Sequence, residues 1–139
     1  MKISDFVNVI KLNKEDDIQS AFENGKLFKY EKRGNINYVF HNGDGMRYLT
    51  YLEFTPNNDR GNHYHNQKEE SMIVLKGKLN AKYYLVDNPY ETLELTLEEG
   101  DIVNIKPRVA HVYLSADGAS AIEFSPQKLD YNDQIKVQF

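Results

Sequence analysis

The 139-residue sequence predicts an all-β protein, a jelly-roll barrel that carries one short helix near its N-terminus. From residue 27 onward, short stretches alternate apolar and polar side chains, as half-buried strands do. Turn residues such as Asn42-Gly43 separate these stretches at short intervals. Three histidines fall on two well-separated stretches, and they meet only if the strands converge on one cavity, which favours the jelly roll.

Length and composition indicate one soluble domain over residues 1–139. We expect a strand and a helix within residues 1–26, a core barrel over about 27–126, and a C-terminal extension over 127–139. The net charge of -4 is scattered along the chain, which argues against nucleic-acid or membrane-surface partners. The sequence has no cysteine, so disulfides and thiolate zinc sites are excluded. Without an apolar signal or membrane-spanning run, a cytoplasmic location is expected.

The N-terminal elements are a short strand over residues 6–10 and a helix over residues 14–24. Asn13 is placed to cap the helix, and acidic residues follow in its first turn, where they favour the N-terminal dipole. Gly25 is placed to end it.

The remaining chain predicts a series of short strands and a less regular tail. On the strand over residues 46–54, alternation places Leu52 on one face, and Arg47 and Tyr51 on the other. The expected strands are 27–32, 37–40, 46–54, the histidine stretch that begins at 60, 71–75, 78–86, 92–97, 102–105, 110–114, 120–124 and 134–139. A turn is expected at residues 87–89.

The stretch from Arg60 to Glu70 carries the strongest chemical signal. His63 and His65 are one residue apart, so both side chains point to the same side of a strand. A carboxylate follows at Glu69 or Glu70, and His111 lies well downstream. Three imidazoles and one carboxylate form a ligand set suited to a divalent first-row metal. The sequence therefore predicts a metal or catalytic site.

Several further residues are candidates for contact with a substrate. Tyr51 is a candidate catalytic residue, and Tyr113 is a candidate for substrate binding. Arg60 and Arg47 are candidates for holding an anionic substrate, because guanidinium groups bind phosphate and carboxylate through two hydrogen bonds.

Other polar residues near the histidines receive a structural interpretation. Tyr64 should face away from the cavity, because it lies between the two ligand histidines. His41 precedes a turn and is expected to be a surface or structural residue. Lys106 and Arg108 lie close to His111, and a solvated or ion-paired role is the commoner one for such residues.

At these residues the chain resembles the cupin superfamily. The first cupin motif corresponds to His63, His65, Glu70 and Gly77, and the six-residue gap before Gly77 selects Glu70 over Glu69. The resemblance implies a cupin-type double-stranded β-helix, and it implies that His63, His65, Glu70 and His111 are the metal ligands.

The second cupin motif corresponds to Gly100 and His111 at the family's separation, with several departures. Lys106 stands in place of a proline, Arg108 in place of the inner glycine and Ser115 in place of the final asparagine. In the first motif, Asn57 stands where the family has its opening glycine. The departures leave all four ligand positions intact, and they put the turn before His111 in question.

The run from Arg60 to His65 is also similar to cupins that act on nucleotide-activated sugars, including a zinc-binding cupin domain in capsular-polysaccharide epimerase/reductase enzymes. This resemblance implies an isomerase or epimerase of a keto-sugar, possibly nucleotide-linked, in polysaccharide biosynthesis. A zinc, iron, manganese or nickel ion would polarise the ketone. Without a metal, His63 or His65 would act as the base.

Two other functions fit the same residues. A non-haem iron dioxygenase would hold Fe(II) with the same ligands. A non-enzymatic module would bind a sugar or another metabolite without turnover. For any of these functions, a homodimer is the expected assembly, because symmetric dimers are common and a short barrel exposes strand edges.

Overall fold

The computed structural model describes residues 1–11, 27–29, 36–38 and 45–139. The helix expected over residues 14–24 and His41 lie outside the described residues. Short 3-10 turns occur at Ile3–Asp5 and Tyr131–Asp133. In the described part of the chain, no helix has the length and apolar character needed to cross a membrane.

Strands make up most of the described chain and follow the predicted order closely. They are β1 Val7–Lys11, β2 Leu27–Lys29, β3 Ile36–Tyr38, β4 Tyr48–Phe54, β5 Arg60–Tyr64, β6 Glu70–Lys76, β7 Leu79–Leu85, β8 Asn88–Leu97, β9 Asp101–Ile105, β10 Val109–Leu114, β11 Ala119–Ser125 and β12 Ile135–Lys136. The final strand is shorter than the expected 134–139 and forms only where the tail pairs with β5.

Ten of these strands form two five-stranded antiparallel sheets. The first sheet has the order β1-β9-β6-β11-β4, and the second has the order β12-β5-β10-β7-β8. β2 and β3 pair with each other. Side chains from both sheets form one core, for example Val74 on β6 and Leu79 on β7. Two antiparallel sheets around a shared interior confirm the predicted cupin-type jelly roll.

Alternation of apolar side chains explains most of the strands. On β7, Leu79, Ala81, Tyr83 and Leu85 are buried, and Asn80 and Lys82 between them are exposed. This is the period-two pattern of a strand with one face on the core. β10 is buried at nearly every position because it lies between β5 and β7 in the second sheet.

β8 differs from the prediction at its start. Residues 87–89 were expected to turn, yet the strand already begins at Asn88, with a register shift in β7 between Tyr84 and Leu85. Pro89 is tolerated within β8 because this strand lies at the end of the second sheet. On an edge strand, the N–H that proline lacks can be one that would face solvent.

Two departures from the cupin motifs retain the backbone shape of the glycines they replace. Asn57 has φ 62° and Arg108 has φ 66°, and both values lie in the left-handed region that glycine adopts freely. The Arg108 guanidinium is held by Asp87 and by Asn66, at 2.6 Å from one oxygen of each. The turn before His111 is therefore preserved despite the substitution.

Candidate functional site

The four predicted ligands converge between the two sheets. His63 lies on β5 and pairs directly with His111 on β10, in the second sheet. His65 follows the end of β5, and Glu70 is the first residue of β6, in the first sheet. One ligand atom from each of the four residues lies within 4.8 Å of the others. The structure therefore brings together the set that the spacing indicated.

Gly61 allows the two histidine-bearing strands to approach closely. Its φ is +111°, and a Cβ built on it would lie 2.5 Å from the His111 carbonyl oxygen. The register between β5 and β10 shifts next to this contact, between His111 and Val112. A side chain at position 61 would push β5 away from β10 and separate the imidazoles.

Hydrogen bonds to backbone carbonyls orient two of the imidazoles. Nδ1 of His65 lies 2.6 Å from the Asp133 carbonyl oxygen, and Nδ1 of His111 lies 3.0 Å from that of Val109. Each Nδ1–H therefore donates to a carbonyl, which directs Nε2 inward. Nε2 of His65 is 2.9 Å from Glu70 Oε1, and Nε2 of His111 is 3.2 Å from Glu70 Oε2. Metal-binding histidines are commonly oriented in this way.

The donor set fits a divalent metal. Within the described chain, Nε2 of His65 is buried and makes no hydrogen bond, although Glu70 lies close to it. A buried nitrogen without a partner is costly, and coordination would satisfy it. Imidazole nitrogens and a carboxylate are also ligands that zinc, iron, manganese and nickel accept.

A cavity of about 260 Å³ opens beside these ligands. Arg60 lies at its exposed edge, where Nε donates to the Glu53 carbonyl oxygen at 2.8 Å and the guanidinium lies 5.7 Å from the Phe54 ring centre. Tyr113 lines the buried side, with its hydroxyl 3.3 Å from that of Tyr83. Burial raises the pKa of Tyr113 well above its usual value. Arg60 and Tyr113 therefore both line the cavity.

Two charged residues that the sequence did not single out also line the cavity. The Lys68 ammonium is buried, 3.0 Å from Glu70 Oε1 and 3.6 Å from Glu123 Oε1. It also lies 3.9 Å from the centre of the Tyr48 ring. Glu123 lies on β11, two residues from the fully buried Ala121, so strand alternation was the signal that placed it inward.

The environment of the cavity lowers the pKa of some of its groups and raises that of others. Burial, reinforced by His111, lowers the pKa of His63 to about 4. Burial opposes the charged forms of His111 and Glu70, but their mutual attraction prevails, so the pKa of His111 is raised and that of Glu70 is lowered. Burial and the neighbouring Glu70 raise the pKa of Glu123 to about 7.

The structure does not bring Tyr51 or Arg47 to the cavity. Tyr51 is 56% exposed on the outer face of β4, where it borders a separate groove with Pro56 and Lys76. Arg47 precedes β4 and is exposed. Alternation along the strand turns residue 51 away from the side that Leu52 faces, and neither residue lines the cavity, so a substrate contact of either residue stays a prediction.

Three of the remaining residues, Glu69, Tyr64 and Lys106, do not line this cavity. Glu69 is exposed and its backbone N–H donates to Gln127, so Glu70 is the inward-facing carboxylate. Tyr64 does not line the cavity, and its ring lies 5.7 Å from the Arg108 guanidinium. Lys106 is exposed and lies 5.7 Å from the Phe6 ring centre.

Comparison with known proteins shows a shared fold at low sequence identity. No family model matches the chain, and no curated protein matches it. The sugar 3,4-ketoisomerase QdtA from Thermoanaerobacterium thermosaccharolyticum, solved with TDP, is 18% identical with a TM-score of 0.71, over 93% of this chain and 86% of that one. A 3,4-ketoisomerase from Helicobacter canadensis is 15% identical with a TM-score of 0.71, over 93% of this chain and 89% of that one.

A third similar structure is the capsular polysaccharide assembling protein CapF from Staphylococcus aureus. It is 20% identical with a TM-score of 0.62 over 82% of this chain. This chain spans about a third, 33%, of the CapF chain. At these identities the likeness establishes the fold, and it is the cupin fold that the two histidine motifs predicted.

Proposed function

We propose that this chain is an isomerase or epimerase that acts on a nucleotide-linked keto-sugar in carbohydrate or polysaccharide biosynthesis. The observation that carries the proposal is the convergence of three histidines and one glutamate in a cavity with an arginine at its edge. The similar solved structures include sugar 3,4-ketoisomerases and a 4-keto-6-deoxy sugar epimerase. The activities of these proteins support this substrate class.

His63, His65, Glu70 and His111 are the residues that would hold a divalent metal ion. When bound, such an ion would polarise a ketone oxygen and stabilise the negative charge that develops on it. The residues themselves prepare the site for this, because the carbonyls of Asp133 and Val109 already direct two Nε2 atoms inward.

Isomerisation and epimerisation next to a ketone require a base that removes a proton and an acid that returns one. Glu123 is the cavity carboxyl that is not among the four candidate ligands, and burial and Glu70 raise its pKa to about 7 in the metal-free chain, so it is the candidate group that accepts and returns the proton. Without a metal, His63 takes this role, since its pKa of about 4 leaves the imidazole neutral near pH 7. Neither route needs an oxidant or a further cofactor.

The cavity is large enough for only one part of the proposed substrate. A volume of about 260 Å³ is slightly below the range of roughly 300–1,000 Å³ that is usual for small-molecule sites, so it suits one sugar ring rather than a whole nucleotide-sugar. The diphosphate would then lie at the mouth beside Arg60. Nε of Arg60 donates to the Glu53 carbonyl oxygen, and within the described residues its guanidinium forms no ion pair, which leaves donors for phosphate.

The test is proton exchange on TDP-4-keto-6-deoxyglucose, the ligand in one QdtA complex. The protein, made without a histidine tag, is incubated with this compound in D₂O, with and without added zinc, manganese or nickel, and followed by NMR. We expect deuterium to enter at carbons next to the ketone. His63→Asn and Glu123→Gln should slow exchange, and Tyr51→Phe, outside the cavity, should not.

Metal analysis of the wild type and His111→Ala decides between the two bases. Near-stoichiometric metal that the variant loses supports the four-ligand site, and metal-free exchange supports His63. Binding without exchange would replace the proposal with a metabolite-binding module. Oxygen consumption that requires iron, again without exchange, would replace it with a dioxygenase.

We also propose a cytoplasmic homodimer. β4 ends the first sheet among the described strands, and its outward-facing Leu49 and Tyr51 are 59% and 56% exposed. An exposed edge with apolar side chains favours pairing with another copy. Sedimentation equilibrium of the wild type and a Leu49→Lys variant tests this, and a monomeric wild type contradicts it.

A further inference from the structure

We term the 3-10 turn Tyr131–Asp133 the C-terminal turn, and we term residues 65–69, which join β5 to β6, the ligand loop. The C-terminal turn packs against the ligand loop. This loop begins with His65 and leads directly into Glu70, and its residues have no regular secondary structure. Three consecutive backbone N–H groups of the loop, those of Asn66, Gln67 and Lys68, donate to the Asp133 carboxylate at 2.8, 3.1 and 3.2 Å. One side chain thus satisfies most of the loop's backbone donors.

The same turn also contacts both histidines of the first motif. The backbone carbonyl of Asp133 accepts a hydrogen bond from Nδ1 of His65 at 2.6 Å. The side-chain amide nitrogen of Gln134, the next residue, lies 3.3 Å from Nδ1 of His63. β12 then pairs with β5, opposing Lys136 to His63. The C-terminal turn therefore contacts the backbone of the ligand loop through the Asp133 carboxylate, and it contacts the His65 ring through the Asp133 carbonyl.

We propose that Asp133 is a positioning residue of the candidate site. Its carboxylate fixes the ligand loop, and the fixed loop keeps the His65 ring against the Asp133 carbonyl, so that Nδ1 carries the proton and Nε2 faces Glu70. This inference deepens the proposed function and rests on it for the role of the site. The contacts themselves are independent of any substrate.

The backbone of the ligand loop has few other anchors. The His65 carbonyl accepts from Arg108 N–H at 2.7 Å, and the Glu69 N–H donates to Gln127 at 2.9 Å. Between these two points, Asn66 and Lys68 are also held through their side chains, by Arg108 at 2.6 Å and by Glu70 at 3.0 Å, but the three backbone N–H groups depend on Asp133. Hydrogen bonds to a charged acceptor are stronger than neutral ones, so losing all three frees the backbone at the centre of the loop. Outer partners of this kind orient metal-binding histidines.

The test compares Asp133→Ala with Asp130→Ala. Asp130 is a matched control, because its carboxylate accepts from Asn132 N–H at 3.0 Å and caps the same turn, and among the described residues it makes no hydrogen bond to the ligand loop. The first readout is the His65 tautomer in the metal-free protein, measured by ¹⁵N NMR. The second is zinc affinity, measured by competition with a chelator. Thermal unfolding confirms that each variant is folded.

We expect Asp133→Ala to convert His65 from one tautomer to a mixture and to weaken zinc binding by about ten- to a hundredfold. Asp130→Ala should match the wild type in both readouts. Asp133→Asn keeps one acceptor oxygen, so it should fall between the wild type and Asp133→Ala, and it replaces Asp133→Ala if that variant does not fold.

An unchanged His65 tautomer in the folded Asp133 variant would overturn the inference. Equal loss of the tautomer in Asp130→Ala would overturn it as well, because the effect would then belong to the turn as a whole. The tautomer is read without metal or substrate, so it decides the role of Asp133 even if the protein catalyses no proton exchange.

Discussion

Replacing Gly61 with alanine tests the close approach of β5 and β10 on which the site depends. The added methyl group would lie 2.5 Å from the His111 carbonyl oxygen and 3.1 Å from the Val112 Cα. Both neighbours are backbone atoms, so no side chain can rotate away. β5 must move, and because His63 pairs with His111 at this point, the two imidazoles must separate.

The cost of this substitution has two parts. A side chain at φ +111° costs about 1–2 kcal/mol, because an L-residue is strained in the left-handed region. Overpacking against fixed backbone adds about 1–3 kcal/mol. We expect a loss of about 3 kcal/mol in the free energy of unfolding, which corresponds to a fall of about 10 °C in Tm for a domain of this size.

Alanine substitutions at two other glycines distinguish the cost of backbone strain from the cost of overpacking. Gly100 has φ +86° but nothing within 4 Å of a built Cβ, so Gly100→Ala should show the backbone strain alone, about 1–2 kcal/mol. Gly45 has open space and no positive φ, so Gly45→Ala should have little effect. Urea denaturation measures stability, and chelator competition measures zinc affinity, which only Gly61→Ala should lower. Equal losses for Gly61→Ala and Gly100→Ala would refute the steric argument.

Three further predictions concern charge in the cavity. Lys68→Met should raise zinc affinity by an order of magnitude or more in chelator competition, because the ammonium 3.0 Å from the ligand Glu70 opposes a bound cation. Glu123→Gln should gain stability relative to the wild type as pH rises from 5 to 8, by at most about 3 kcal/mol in urea denaturation. The folded carboxyl, with its pKa raised from 4.5 to about 7, binds more protons than the unfolded one between these values, so wild-type stability declines across that window. The His63 imidazole should titrate near pH 4 when followed by NMR, because its pKa is lowered to about 4.

For each of the three charge predictions, one experimental result would contradict it. Lys128 is exposed, and Lys128→Met changes the net charge equally, so an equal gain in zinc affinity there would remove the special role of Lys68. A parallel pH dependence of stability in the wild type and Glu123→Gln would show that Glu123 ionises normally. Titration of His63 near its ordinary value of 6.5 would contradict the effect of burial.

The candidate ligands could be predicted because their signals are local. The spacing of His63 and His65, the gap from Glu70 to Gly77, and the position of His111 after Gly100 all lie within short stretches of chain. Alternation within those stretches decides which face each side chain takes, and the structure brings the four ligands together. The same rule places Tyr51 on the face of β4 opposite Leu52, which lines the cavity.

The other residues of the cavity depend on strand pairing over long sequence separations. Lys68 meets Glu123 because β6 pairs with β11, and their charges therefore share one wall of the cavity. Asp133 reaches the ligand loop because β12 adds to the edge of β5, although more than 60 residues separate them, as the separation of 67 between Asp133 and Asn66 shows. Local patterning cannot report such contacts.

The sequence by itself determined the all-β class, the succession of most strands along the chain and the four candidate ligands, because period-two alternation and the spacing of the cupin-like motifs act over a few residues. Only the tertiary structure decided which charges surround those ligands, that Arg60 and Tyr113 lie at the cavity whereas Arg47 and Tyr51 do not, and that the C-terminal turn supports the histidines. The physical reason is that burial and pKa depend on neighbours from both sheets, and the packing of the folded chain sets those neighbours.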